Sequence, residues 1–155
     1  MSNAFGGVTN LVIIVFFLVL VMGYLAFNVQ YSKAFKVKNM ALTTLEQYEG
    51  NCEADTTCNE KIQAYIKQIG YGVTKINNPG SCPDGGSTYH CNSGYCYCVI
   101  DLEQSSDDMY KSVKREYYHV ITEVEMNIPI INKVLEGIRF FRVSGDSKPV
   151  SKFKN

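Results

Sequence analysis

The residues with the most chemistry to offer are six cysteines, at positions 52, 58, 82, 91, 96 and 98. An even count lying wholly downstream of an apolar N-terminal run predicts three disulfides in an oxidising compartment. Local spacing narrows the pairings. "CEADTTC" can close Cys52 onto Cys58, and Cys91 and Cys96 oppose each other across a Ser93-Gly94 turn at the spacing of a cross-strand pair. Cys82 and Cys98 are then left for each other. The competing chemistry is zinc, with His90 beside Cys91. Structural zinc sites carry two- to four-residue cysteine knuckles, which the spacing of Cys82, Cys91, Cys96 and Cys98 fits poorly, so the expectation is no metal.

The other reactive residue types point away from catalysis. Neither His90 nor His119 sits in H-E-x-x-H, and the chain has no G-x-S-x-G and no phosphate-binding loop. Each histidine reads as a solvated strand residue. Glu123 and Glu125 share a strand face and have the types of an acid/base pair, but alternating charge on the exposed face of a sheet explains them more simply. "SSDDM", residues 105–109, reads as a turn or helix start whose acids suit the helix dipole, with too few ligands for a calcium loop. With 15 basic and 15 acidic residues the chain is formally neutral, and no block of like charges suggests nucleic acid. The expectation is a non-enzyme without cofactor.

The cysteines need elements to hold them, and the chain begins with a conspicuous one. The apolar run from Leu11 to Phe27 covers about 26 Å at helical rise, close to a hydrocarbon core. No charged residue occurs between Met1 and Ser32, so Thr9 and Asn10 suit one interface and Tyr24 and Tyr31 the other. Leu11, Val12, Ile14, Val15, Phe17, Leu18, Val21, Met22 and Leu25 form the expected membrane or assembly core, with Gly6, Gly7, Gly23 and Ala26 as small residues that permit close helix approach. A cleaved secretory signal would carry a basic start, a shorter apolar core and a small-residue cleavage site; lacking these, the chain is expected to keep its N-terminus or nearly so. Past the run, Phe27, Tyr31, Ala34, Ala41, Leu45 and Tyr48 recur at helical spacing with Lys38 interrupting. No breaker intervenes before Gly50, which predicts one helix from about Val8 to Glu49 with Gly50 as its cap and Gly23 as the sole candidate kink.

Beyond Gly50 the punctuation is clear. "NEKIQAYIKQIGYG" sets Ile62, Tyr65, Ile66 and Ile69 on one helical face before Gly70. "NNPGSCPDGGS" is built of turn residues, and "TYHCNSGYCYCVIDL" reads as a hairpin around Ser93-Gly94. In "EYYHVITEVEMNIPI", Tyr118, Val120, Thr122, Val124, Met126 and Ile128 alternate with Tyr117, His119, Glu123, Glu125 and Asn127, so one face expects cover and the other solvent. Pro129 ends that strand; Gly137 reopens one, "IRFFRVSG", ahead of a Gly145-Asp146 turn and a lysine-bearing tail. The fold class is α+β: a membrane or filament-core helix over residues 1–50, then one disulfide-rich domain over 51–155 with the helix packed on a small antiparallel sheet.

Two rules disagree about orientation. Lys33, Lys36 and Lys38 just past the apolar run favour a cytoplasmic domain by the positive-inside bias, whereas six cysteines favour an oxidising exterior. The cysteines weigh more, because reduced and partly exposed thiols would be a liability. The lack of any N-x-S/T sequon leans toward a bacterial chain.

An N-terminal helix with a charge-poor apolar first half and an amphipathic second half, carrying a small disulfide-bearing sheet, resembles type IV pilins and Tad-type pseudopilins. The resemblance covers the chain as architecture and residues of about 5–50 as sequence, in "NAFGGVTNLVIIVFFLVL". Gly7-Val8 is similar to a prepilin peptidase junction, though without a basic leader. Val12 stands fifth after it, where the family carries a glutamate that contacts a neighbour's N-terminal amine. The resemblance implies a structural subunit of a homopolymeric surface filament, resident in the cell membrane before assembly and partnered by copies of itself. The competing expectation is a single-pass anchor that displays an extracellular interaction or adhesion domain and does not polymerise.

Overall fold

The computed structural model describes residues 2–50, 52, 56–102, 113–125 and 140–153. The first element is a single helix, α1 (Ser2–Gln47), which passes through Gly23 without a break. Its C-terminal half buries a stripe. Ala34, Val37, Ala41 and Leu45 are fully buried, as is Thr44, whose hydroxyl donates to the Met40 carbonyl one turn back at 2.8 Å. Alanines at two of these positions bring the helix backbone close to the sheet. Tyr31, expected in the stripe, instead stays 45% exposed, and Val37 and Thr44 take the inner positions. The helix ends in a Schellman motif: the Glu49 N–H reaches the Glu46 carbonyl and the Gly50 N–H the Leu45 carbonyl. The left-handed position of that motif is held by Glu49 at φ +50°, one residue before the expected Gly50, which is itself at φ +72° against the Tyr118 ring.

Helix α2 (Thr56–Ile69) packs on α1 with Cys58, Ile62 and Ile66 buried. It ends in the same motif with Gly70 at φ +64°, and the Lys33 ammonium of α1 donates to the Gly70 carbonyl at 2.9 Å. All strands are antiparallel: β1 (His90–Asn92), β2 (Tyr95–Asp101), β3 (Val113–Glu125), β4 (Phe140–Asp146) and β5 (Val150–Phe153). The order is β1-β2-β3-β4, with β5 beside β4 along the same edge of β3.

The β4–β5 junction corrects the expected turn. Gly145 and Asp146 lie within β4, opposite Val120 and His119, and the chain continues in the same direction. Between the paired segments, Ser147, Lys148 and Pro149 stand opposite only Tyr117 and Tyr118, which makes a one-residue bulge. Pro149 has no N–H for a ladder, and the Ser147 hydroxyl accepts from the Tyr118 N–H at 2.8 Å where a carbonyl would have stood. The extra residue turns the Lys148 N–H toward α1, where it donates to the Glu46 carboxylate at 2.9 Å.

The sheet is a middle layer. On the α1 side lie Tyr97, Tyr118, Val120, Thr122, Val124 and Val143, all buried; Thr122 Oγ1 sits 3.2 Å from the Ala34 and Val143 carbonyls. The opposite side is covered by the coil after α2, through buried Tyr71, Val73 and Ile76. Glu123 therefore does not face solvent: it is 1% exposed, with the Arg142 Nε on the paired residue of β4 at 3.3 Å. Tyr71 Oη bridges the Glu123 backbone, donating to its carbonyl at 2.5 Å and accepting from its N–H at 3.1 Å. The Arg142 guanidinium also donates to the carbonyls of Asn77, Asn78 and Pro79, which fastens the covering coil to the sheet. The expected "SSDDM" turn, the strand residues 126–128, Pro129 and Gly137 lie outside the described residues.

Three disulfides tie these layers. Cys52–Cys58 joins the end of α1 to the start of α2, Cys82–Cys98 ties the covering coil to β2, and Cys91–Cys96 spans the β1–β2 hairpin. Their Cα separations are 5.2, 6.2 and 4.1 Å.

Candidate membrane and assembly surface

Helix propagation carries α1 well past the domain it helps to build. The sheet's last α1-side residue against it is Phe141, whose ring meets Phe27 edge-on at 5.3 Å. N-terminal to that level, Leu11, Val12, Ile14, Val15, Phe17, Leu18, Met22 and Leu25 are all at least half exposed, and Val21 is exposed at 38%. At 100° per residue these nine spread over about 220° of the circumference and Ile13, Phe16 and Leu20 occupy the rest, so no single contact can cover the run. Ile13, Phe16 and Leu20 are exposed to the same degree. Sequence reasoning left those three out, although the unbroken apolar run is itself the signal that all sides want cover.

The helix is long and apolar enough to cross a membrane, and none of its most apolar 18-residue window is buried within the protein. Water-exposed surface of this extent is unfavourable by about 25 cal/mol per Å². The same side chains can meet lipid or other helices, and Gly7, with open space at its Cβ position, allows a second helix to come close. The disulfides fit a domain on the oxidising side of such a membrane.

The residues considered for chemistry are scattered. The His90 ring lies tilted against Tyr97 at 5.4 Å on the α1 side of the sheet, while His119, across the sheet, has its Nδ1 2.5 Å from Asp146 Oδ1 on the adjacent strand. Both are half-buried rather than solvated. Glu123 is engaged with Arg142, and its second carboxylate oxygen is buried without a hydrogen bond. Among the described residues no three His, Cys, Asp or Glu side chains are disposed to hold one metal ion. Burial raises the Tyr95 phenol above the ordinary tyrosine range, opposed by the Asn92 amide that donates to it, and Tyr95 in turn donates to Asn59 of α2. A hydrogen bond to Asp84 raises Tyr117. These contacts join neighbouring elements.

Comparison with protein-family models, with curated proteins and with solved structures finds no match.

Proposed function

We propose that this protein is a structural subunit of a homopolymeric cell-surface filament, held in the membrane by α1 before assembly and packed through the same half-helix afterwards. The observation that carries the reading is the apolar half of α1, exposed on every side and continuous with a domain whose own core is complete without it. Lipid covers such a surface in the monomer; neighbouring copies of the same surface cover it in a filament, where van der Waals packing replaces lipid contact. The compact domain then forms the exterior, on the oxidising side that its disulfides suit. The resemblance to pilin architecture supports the same reading, and the work asked of the chain is assembly rather than catalysis.

The test is crosslinking on intact cells with the paired substitutions Val15→Cys and Met22→Cys, at positions 50% and 69% exposed. Packing into a filament yields a ladder of multimers extending well past the dimer, because a head-to-tail contact whose rotation does not close into a ring propagates from copy to copy. A membrane-inserted, oxidised protein that stays monomeric or stops at a small closed oligomer would show the reading wrong and favour a plain anchor carrying an interaction domain.

A further inference from the structure

We infer that the globular domain itself touches the bilayer, through the corner of the sheet at Phe141, so that β4 as well as α1 contacts the lipid interface. The inference rests on the membrane residence of α1 proposed above and adds a second, non-helical contact to it. A hydrocarbon core of about 30 Å takes up about 20 helical residues, and counted from Leu11, past the interfacial Thr9 and Asn10, that length ends at Gln30, with Phe27 in its last turn. Phe27 is the residue that Phe141 touches, at 5.3 Å between ring centroids. A side chain bound to the last turn of the span is at the level of the headgroups whatever the domain does elsewhere.

The chemistry at that level is interfacial. Phe141 is 41% exposed although it lies on the α1 side of the sheet, where Val143, two residues along, is buried. Beside it Tyr24 and Tyr31 are 67% and 45% exposed, and the Phe27 and Tyr31 rings lie 6.1 Å apart. The cluster is thus aromatic and continuous with the span, as at the boundary between acyl chains and water. Along α1 cations begin only further on, with Lys33 on the Gly70 carbonyl and Lys38 over the Phe35 ring at 4.4 Å, and on the sheet Arg142 is turned to the opposite face, onto Glu123 and the covering coil. Glu125 pairs with Phe140, so β3 ends and β4 begins at this same level.

The chain contains no tryptophan, so one introduced indole is an unambiguous reporter. The full-length protein would be reconstituted into phosphatidylcholine vesicles with or without brominated acyl chains, as Phe141→Trp, as Met22→Trp within the span, and as Leu102→Trp at the far end of β2. Bromolipid is expected to quench Phe141→Trp about twofold, Met22→Trp at least as strongly and Leu102→Trp not at all. If Met22→Trp is quenched while Phe141→Trp behaves like Leu102→Trp, the domain stands clear of the bilayer and the inference fails with α1 still in the membrane. If neither is quenched, α1 is not in lipid and both readings fail. Shielding of Phe141→Trp from aqueous iodide without bromolipid quenching, growing with protein concentration, would assign the corner to a neighbouring copy and overturn the lipid contact. Should the indole disturb folding, Phe141→Cys carrying a nitroxide gives the same comparison from its relative accessibility to oxygen and to an aqueous nickel chelate.

Discussion

Both halves of α1 carry valine and leucine side chains, and those side chains live in opposite surroundings. Val37 and Leu45 in the second half are fully buried, whereas Val15 and Leu18 in the first are 50% and 57% exposed. Residue type does not distinguish them; neighbours do. The second half has a sheet whose inner face needs a cover, and Thr122 reaches across to the Ala34 carbonyl to fix the register. The first half has nothing of the chain's described portion against it. The contrast teaches that folding of the domain and use of the apolar half are separable, so changes in one half should leave the other's property intact.

The strongest way to break this separation is a cavity in each half. Leu45→Ala should lower the unfolding free energy of the domain by about 3 kcal/mol, while Leu18→Ala in detergent leaves it unchanged, both read by chemical denaturation. An equal loss from Leu18→Ala would mean that the apolar half belongs to the folding unit. Next come the crosslinks confined to the domain. Replacing Cys82 and Cys98 together by alanine opens a loop with a sequence separation of 16 residues and should remove about 3 kcal/mol, against about 2 kcal/mol for the pair Cys91 and Cys96, separated by 5. Membrane extraction of the oxidised and reduced proteins should not differ, since neither bridge touches the first half.

A smaller effect comes from alkali. Burial raises the Tyr95 phenol above its ordinary 10.0, so the unfolded chain releases that proton first. Its contribution is complete below about pH 10 and is lost as pH rises through the folded value. Denaturation between pH 9 and 11 should show falling domain stability, with a shallower slope in Tyr95→Phe. The smallest change is Lys33→Ala, which removes the hydrogen bond closing the end of α2 and should cost about 0.5–1 kcal/mol with no effect on membrane insertion.

Local patterns in the sequence foretold what local physics decides. The Cys52–Cys58 and Cys91–Cys96 pairs, the hairpin at Ser93-Gly94 and the Ile62–Ile66 face of α2 rest on spacings of a few residues, Cys82–Cys98 follows by elimination and the continuity of α1 from the lack of a breaker, and the structure has them all. The exposed apolar half was legible too, because nothing in its composition offered it a polar side. Hidden features depended on which segment lies on top of which. Glu123 alternates as a solvent-facing residue would, and only the return of the Tyr71–Ile76 coil over that face buries it and gives Arg142 three backbone carbonyls to hold. Likewise Gly145-Asp146 has the composition of a turn. The chain runs straight through it because His119 and Val120 of β3 pair with it, and the length mismatch is absorbed at Ser147–Pro149.

One consequence follows from α1 crossing from the exposed to the buried half without a hinge. A stiff rod clamped at one end is a lever. From Phe27 to Gln47 the helix extends about 30 Å, so a ten-degree lean of its apolar half carries the far end of the sheet sideways by about 5 Å. With α1 in a bilayer as proposed, a change in bilayer thickness that tilts the helix would alter the attitude in which the domain faces its surroundings, and a pull on the domain is delivered along one unbroken ladder of hydrogen bonds.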